Sequence, residues 1–344
     1  MPQLVVITGS GRSGTSSAAG ALKRLGYHVP QPEKQADEAN PRGYYESSWV
    51  VTFHARWCRR LGVRAIDTRP EAGGIMMADL TEQREALLRR WLDGQLALRA
   101  PDDVVIVKDP RALWVYPLWE RVAAAAGVEL KSLTMLRHPA QVVRSTDSAY
   151  QTGRPDAVRR QRETTNVAAW VNTLLVTEQS TRGRVRTFVR YTDLVSDWRG
   201  ALTVAMDHLG LDPGDLTAPH PIDDFLTPTL NRSGDGWDGL AVPAALRDLA
   251  DRAWRAAGAL ATQPDDAAAL ATFDALRAEY DELHTLALGI AADTTEARLH
   301  EVRTRLRDLR GRLRARIAEQ DEQIAALRQR EVAPRPRRRR GVGR

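Results

Sequence analysis

The chain has 344 residues, is 43% hydrophobic and 27% charged, and carries a net charge of +6, a balance that excludes a disordered or fibrous protein and supports one large domain or two modest ones. Cys58 is the only cysteine, so an intrachain disulfide and a cysteine zinc cluster are excluded and no metal site is expected. No apolar run reaches the roughly 18 residues of a membrane span, and the first residues pass directly into an apolar strand, so a cytoplasmic location is expected.

Residues 3–8 form the first predicted strand, followed by Gly9-Ser10-Gly11-Arg12-Ser13-Gly14-Thr15-Ser16. Glycines let the backbone curl so that successive N–H groups point at one anion, and the helix that follows adds the positive end of its dipole. Gly9 and Gly14 have the spacing of a phosphate-binding P-loop, yet Thr15 stands where a nucleotide hydrolase carries its lysine. Arg12 is the only cation inside the turn, which favours a donor gripped by a planar guanidinium fork, such as a phosphosulfate.

The next helix is predicted at 16–25, where Ala18, Ala21, Leu22 and Leu25 recur at helical spacing. Buried strands follow at 103–108 and 131–136, ending at Lys108-Asp109-Pro110-Arg111 and Arg137-His138-Pro139. Helices are predicted at 140–150 and about 164–178, and a fourth strand at 185–191 leads into Tyr191-Thr192-Asp193-Leu194. Strands alternating with helices predict an α/β fold, a mostly parallel sheet flanked by helices, with ligands at the carboxyl ends of the strands. An α/β domain is therefore expected at 1–240.

Beyond it the composition turns Ala-, Leu- and Arg-rich, and a helical extension is predicted at 241–292. Over 293–331, Leu299, Val302, Leu306, Leu309 and Leu313 step by three and four, and Ile317, Ile324 and Leu327 continue the seam after a four-residue stutter. This pattern fits either a C-terminal coiled coil, and through it a homodimer, or an amphipathic helix docked on its own domain. Residues 332–344 read as a disordered basic tail. Five arginines of that tail account for most of the excess charge, so contact with anionic surfaces is expected there and no specific nucleic-acid partner elsewhere.

The glycine loop, Lys108-Asp109-Pro110-Arg111 with Leu118-Trp119, Arg137-His138-Pro139 with Ser145, and Tyr191-Thr192-Asp193-Leu194 together resemble the bacterial branch of the sulfotransferase family, over residues 3 to about 233. The resemblance implies the P-loop-like sulfotransferase fold and the donor 3′-phosphoadenosine 5′-phosphosulfate (PAPS), with sulfuryl transfer to an acceptor hydroxyl on a carbohydrate, glycolipid or secondary metabolite. It implies that the 5′-phosphosulfate lies on Gly11, Arg12, Ser13, Gly14 and Thr15, with Ser16, Tyr191 and Arg232 completing the nucleotide site. Arg137 and Ser145 match the ligands of the 3′-phosphate. Arg12 and Lys108 are the candidates for stabilising charge on the departing oxygen.

The acceptor must lose a proton as its oxygen attacks, which calls for a base near the phosphosulfate. Glu46, in Asn40-Pro41-Arg42-Gly43-Tyr44-Tyr45-Glu46, resembles the family's acceptor-side segment and is the first choice. Glu33 has the spacing of the base in some relatives, and His54 is third. Outside catalysis, Glu46 would cap a helix starting at Ser47 or Ser48, and Glu33 would be a solvated loop charge. Two other readings stand beside the transferase: a P-loop kinase of nucleotides or small molecules, and a basic coiled-coil scaffold for nucleic acid or membranes.

Overall fold

A computed structural model describes residues 2–38, 40–100, 103–150, 155–227, 234 and 236–332. Four strands, β1 (Gln3–Thr8), β2 (Val104–Lys108), β3 (Leu130–Leu136) and β4 (Arg186–Arg190), form one parallel sheet in the order β2-β1-β3-β4. In register, Val5 faces Ile106 on one side and Lys131 on the other. These strands are near-continuous apolar runs because helices cover both faces, so no position alternates with water. Alternation instead divides the core into two. Val5 and Ile7 pack with Leu22, Leu202 and Met206, whereas Leu4 and Val6 pack with Trp57, Trp114 and Trp119.

The first face is covered by α1 (Thr15–Arg24), with α8 (Tyr191–Ser196), α9 (Trp198–Leu209) and the short α10 (Ile222–Phe225). The second is covered by α2 (Ser48–Leu61), α3 (Ala72–Ala78), α4 (Glu82–Leu96), a 3₁₀ turn (Pro110–Val115) and α5 (Tyr116–Ala125). Helix α6 (Pro139–Tyr150) follows β3 directly. The chain leaves β1 toward one edge of the sheet and returns after β2 to add β3 and β4 on the other. The carboxyl ends of β1 and β3 therefore flank the crevice where strand order reverses, the usual position for a ligand in such sheets.

Helix α7 spans Asp156–Thr181 and so starts earlier than the apolar pattern predicts. Its first turns are highly charged, and pairs such as Arg159 with Glu163, 2.5 Å apart, support a helix without an apolar stripe.

The compact unit runs from Met1 to Glu282, past the expected boundary at residue 240. Helix α11 (Ala244–Thr262) packs on α7 and β4, covering an edge strand that would otherwise expose unpaired backbone. Small residues allow the close approach: Gly258 accepts a hydrogen bond from Arg190 Nη2 at 2.6 Å, and a Cβ there would lie 2.8 Å from that nitrogen. The start of α12 (Ala267–Val332) belongs to the same unit, with Phe273, Leu276 and Tyr280 buried. Tyr280 donates to the Thr68 carbonyl at 2.7 Å.

A second unit spans Leu283–Arg344. Its described part is helical, and the large apolar side chains from Leu286 to Leu327 are exposed. The basic tail lies outside the described residues from 333 on. No helix among the described residues is long and apolar enough to cross a membrane.

Candidate active site

The loop after β1 folds as its sequence requires. Gly9 has φ +131°, and a Cβ there would stand 2.7 Å from the Met135 carbonyl oxygen, so the loop can lie against β3 only with glycine. Ser13 closes the turn, its N–H and hydroxyl both donating to the Ser10 carbonyl, at 3.1 and 2.5 Å. It is thus held inside the loop, fully buried. Arg12 adopts φ +68°, a left-handed conformation unfavourable for a side chain of its size and one that concentrates at functional sites. Gly14 caps α1 at φ +93°, and a Cβ there would fall 2.2 Å from the Tyr191 ring. Gly14→Ala should therefore cost about 1–3 kcal/mol of stability, read as a lower melting temperature, and should displace the loop enough to weaken anion binding.

Above the loop lies a cavity of about 560 Å³. Gly11, Arg12, Gly14, Thr15 and Ser16 line one side. Arg137, Ser145 and Tyr191 reach it from the ends of β3 and β4 and from α6, and Lys108 from the end of β2. Glu46 closes the wall at the entrance to α2. Residues separated by more than a hundred positions thus meet in one crevice, because the carboxyl ends of all four parallel strands lie on that side of the sheet.

Two cationic centres are distinct. In the first, Arg12 Nε donates to Ser145 Oγ at 3.1 Å, and Arg137 Nη1 donates to the Arg12 carbonyl at 3.2 Å. The Arg137 guanidinium lies 4.5 Å from the Tyr191 ring centroid, and its Nε donates to Gln141 Oε1 at 3.2 Å. Burial pushes the Arg137 pKa down and the neighbouring Arg12 charge adds to that, while Tyr191 opposes it. Burial likewise pushes the Tyr191 phenol up. An anion seated here would relieve the crowding of like charge.

The second centre is Lys108, whose Nζ lies 2.6 Å from Glu46 Oε1 and 3.2 Å from Ser16 Oγ. Both side chains of the ion pair are almost wholly buried, and both face the cavity. Because Glu46 binds Lys108, it is not the helix cap that its position also suggested. Ser47 is the N-cap residue, without a side-chain cap bond.

Asp109 explains the remainder of the Lys-Asp-Pro-Arg segment. Its Oδ1 accepts from the Arg111 backbone at 3.0 Å and pairs with Arg111 Nη1 at 2.8 Å, while Oδ2 lies 3.0 Å from His54 Nδ1. Burial alone would raise the Asp109 pKa, but the His54 hydrogen bond and charge, followed by Arg111, hold it below the ordinary 3.8. A depressed folded-state pKa contributes stability that is complete above 3.8 and is lost as pH falls through the lower folded value. Asp109→Asn should destabilise the protein at neutral pH, with a gap in melting temperature to the unmodified chain that narrows as pH drops below 3.8. His54 is fully buried beneath this network, its ring at 75° to that of Trp119, and does not line the cavity.

Glu33 also lies off the cavity wall. Its carboxylate meets Lys23 Nζ at 2.5 Å and Gln31 Nε2 at 2.6 Å, while the adjacent Lys34 faces the cavity. Arg232 lies outside the described residues.

Several cavity residues carry no role in the sequence reading. Asn40 Nδ2 donates to Ser16 Oγ at 3.2 Å and to the Gly43 carbonyl at 2.7 Å, fixing the segment before Glu46 against the loop. Arg42 Nη1 donates to the Phe225 carbonyl at 2.5 Å. Lys34 Nζ stands 3.5 Å over the Tyr44 ring. Asn40, Arg42 and Tyr44 fall in the segment already singled out for Glu46, so asking which of its polar residues face inward would have found them. Lys34 has no local signal.

No protein-family model matches the chain, and no curated protein matches it. Among solved structures, it is similar to the sulfotransferase domain from the Synechococcus PCC 7002 olefin synthase, at 20% identity over 74% of this chain and 94% of that one, with a TM-score of 0.42. It is also similar to the sulfotransferase domain from the curacin biosynthetic pathway, at 17% identity over 74% and 96% of the two chains, with a TM-score of 0.39.

Proposed function

We propose that this protein is a PAPS-dependent sulfotransferase acting on an acceptor hydroxyl. The observation that carries the reading is one cavity lined by two cationic centres, Arg137 with Ser145 and Lys108 with Ser16 and the Glu46 carboxylate, with Arg12 on the glycine loop that contacts both. A nucleotide with a single phosphate chain needs one such centre; one bearing phosphate on both the 5′ and 3′ positions needs two. The donor set fits that group. Backbone N–H groups of a glycine loop and a helix N-terminus suit the 5′ end, and a buried guanidinium beside a hydroxyl suits a 3′-phosphate.

When bound, PAPS supplies an activated sulfuryl group whose transfer releases 3′-phosphoadenosine 5′-phosphate. Arg12 and Lys108 stabilise the negative charge that grows on the departing phosphate oxygen, and this lowers the barrier because that charge is larger in the transition state than in the ground state. Glu46 takes the proton of the acceptor hydroxyl as the new O–S bond forms and the bridging S–O bond breaks. Its contact with Lys108 holds base and cation on the same wall. Asn40 positions Ser16, and His54 positions Asp109, both without touching the reacting atoms.

A carbohydrate hydroxyl is the proposed acceptor, with glycolipids and secondary metabolites as the wider class. The test is transfer of label from radiolabelled PAPS to a panel of sugar, lipid and phenol acceptors. Label on a sugar supports the full reading, label on another class moves the acceptor, and no transfer to any acceptor counts against the activity. A kinase reading requires ATP with magnesium, and Thr15 in place of the P-loop lysine weighs against it.

A further inference from the structure

Among the described residues, six cationic side chains line the cavity with one carboxylate, Glu46, and their positions divide them. Arg12, Arg42 and Arg137 gather near Tyr191, where their charges pull the phenol down against the rise that burial imposes, on the side proposed for the donor. Lys108 is paired with Glu46, and Arg111 with Asp109. Lys34 has no such partner: among the described residues no carboxylate lies within ion-pair distance of it, and its Nζ rests 3.5 Å from the Tyr44 ring centroid.

The backbone puts Lys34 beside the proposed base. Glu33 bridges Ser47 in antiparallel register, the Lys34 N–H donates to the Glu46 carbonyl at 2.7 Å, and the Ser48 N–H donates to the Pro32 carbonyl at 2.8 Å. This pairing sets Lys34 directly opposite Glu46, and such residues project from one face with Cβ atoms about 4.5–5.5 Å apart. Both side chains accordingly line the cavity. Lys108 Nζ stands 5.9 Å from the centroid of the same Tyr44 ring, so one small ligand can span Lys34 and the Lys108–Glu46 pair.

We infer that the acceptor is an acidic sugar, whose carboxylate or phosphate pairs with Lys34 while the hydroxyl to be sulfated lies against Glu46. The inference rests on the sulfuryl-transfer reading above and adds the charge of the acceptor to it. An ammonium held on an aromatic face has no counter-charge to give up, so an incoming anion gains a charge-assisted hydrogen bond without breaking an ion pair. A neutral sugar offers no group of that kind.

The test is calorimetry on the full chain saturated with 3′-phosphoadenosine 5′-phosphate, titrated with methyl glucuronide, a phosphorylated methyl glucoside and the neutral methyl glucoside. At least one acidic sugar should bind about tenfold or more tighter than the neutral one, and the tighter of the two names the anion as carboxylate or phosphate. Lys34→Met should remove that preference and leave the affinity for 3′-phosphoadenosine 5′-phosphate unchanged, whereas Lys34→Arg should keep the preference. Equal binding of neutral and acidic sugars, no binding of any of them, or a preference that survives Lys34→Met would overturn this inference alone. A loss of nucleotide affinity in Lys34→Met would also overturn it, by placing Lys34 in the donor site. Failure of the unmodified chain to bind the nucleotide would remove the transferase reading, and this inference with it.

Discussion

Glu46→Gln should lower kcat by about 10²–10⁴, the usual contribution of a positioned general base, while leaving affinity for 3′-phosphoadenosine 5′-phosphate nearly unchanged. The substitution keeps the size of the side chain, and its amide oxygen can still accept from Lys108, now 2.6 Å from Glu46 Oε1. The cation stays in place and only the proton acceptor is lost. Glu46→Ala is a different experiment. It leaves Lys108 buried without that carboxylate, and breaking a buried pair costs about 3–5 kcal/mol, so a drop in melting temperature should accompany the loss of rate. Full turnover in Glu46→Gln would remove Glu46 as the base. Glu33, bound to Lys23 and Gln31, and His54, buried against Asp109, would then each need the cavity wall to rearrange.

Arg137→Met should weaken binding of 3′-phosphoadenosine 5′-phosphate by roughly 2–5 kcal/mol, the range for removing one partner of a buried charge pair. Binding of adenosine 5′-phosphate, which lacks the 3′ group, should change little. Methionine retains an unbranched chain against the Tyr191 ring, which the guanidinium now covers at 4.5 Å. It also removes the charge that burial and Arg12 make unfavourable, which offsets part of the loss of its hydrogen bonds to Gln141 and the Arg12 carbonyl in the ligand-free protein. Calorimetry with both nucleotides separates the outcomes. Equal losses for the two ligands would mean that Arg137 supports the cavity without reading the 3′-phosphate.

The parts of the site legible in the sequence are those set by local chemistry. The strands are apolar runs ended by charges, and the glycine loop has one workable conformation, so β1, β2, β3 and β4 fall within a residue or so of their predicted limits. Strand ends in a parallel sheet converge, so Arg12, Lys108 and Arg137 could be grouped before any contact was known. What depends on tertiary contact was not legible. Glu33 and Lys34 are neighbours, but Glu33 bridges to Ser47 and alternation along an extended segment sends the two side chains opposite ways; proximity to the loop in sequence therefore favoured the wrong-facing member of the pair. Helix α11 read as an appendage because its face is alanine-rich, and only the edge of β4 shows what that face covers.

The central claim is that this cavity holds a nucleotide with phosphate at both ends, and thermal denaturation with competing ligands tests it most directly. A ligand that binds only the folded chain raises the melting temperature with its concentration. Saturating 3′-phosphoadenosine 5′-phosphate is expected to raise it clearly, and ATP with magnesium is expected to leave it unchanged. A shift with ATP and magnesium but none with 3′-phosphoadenosine 5′-phosphate would contradict the account.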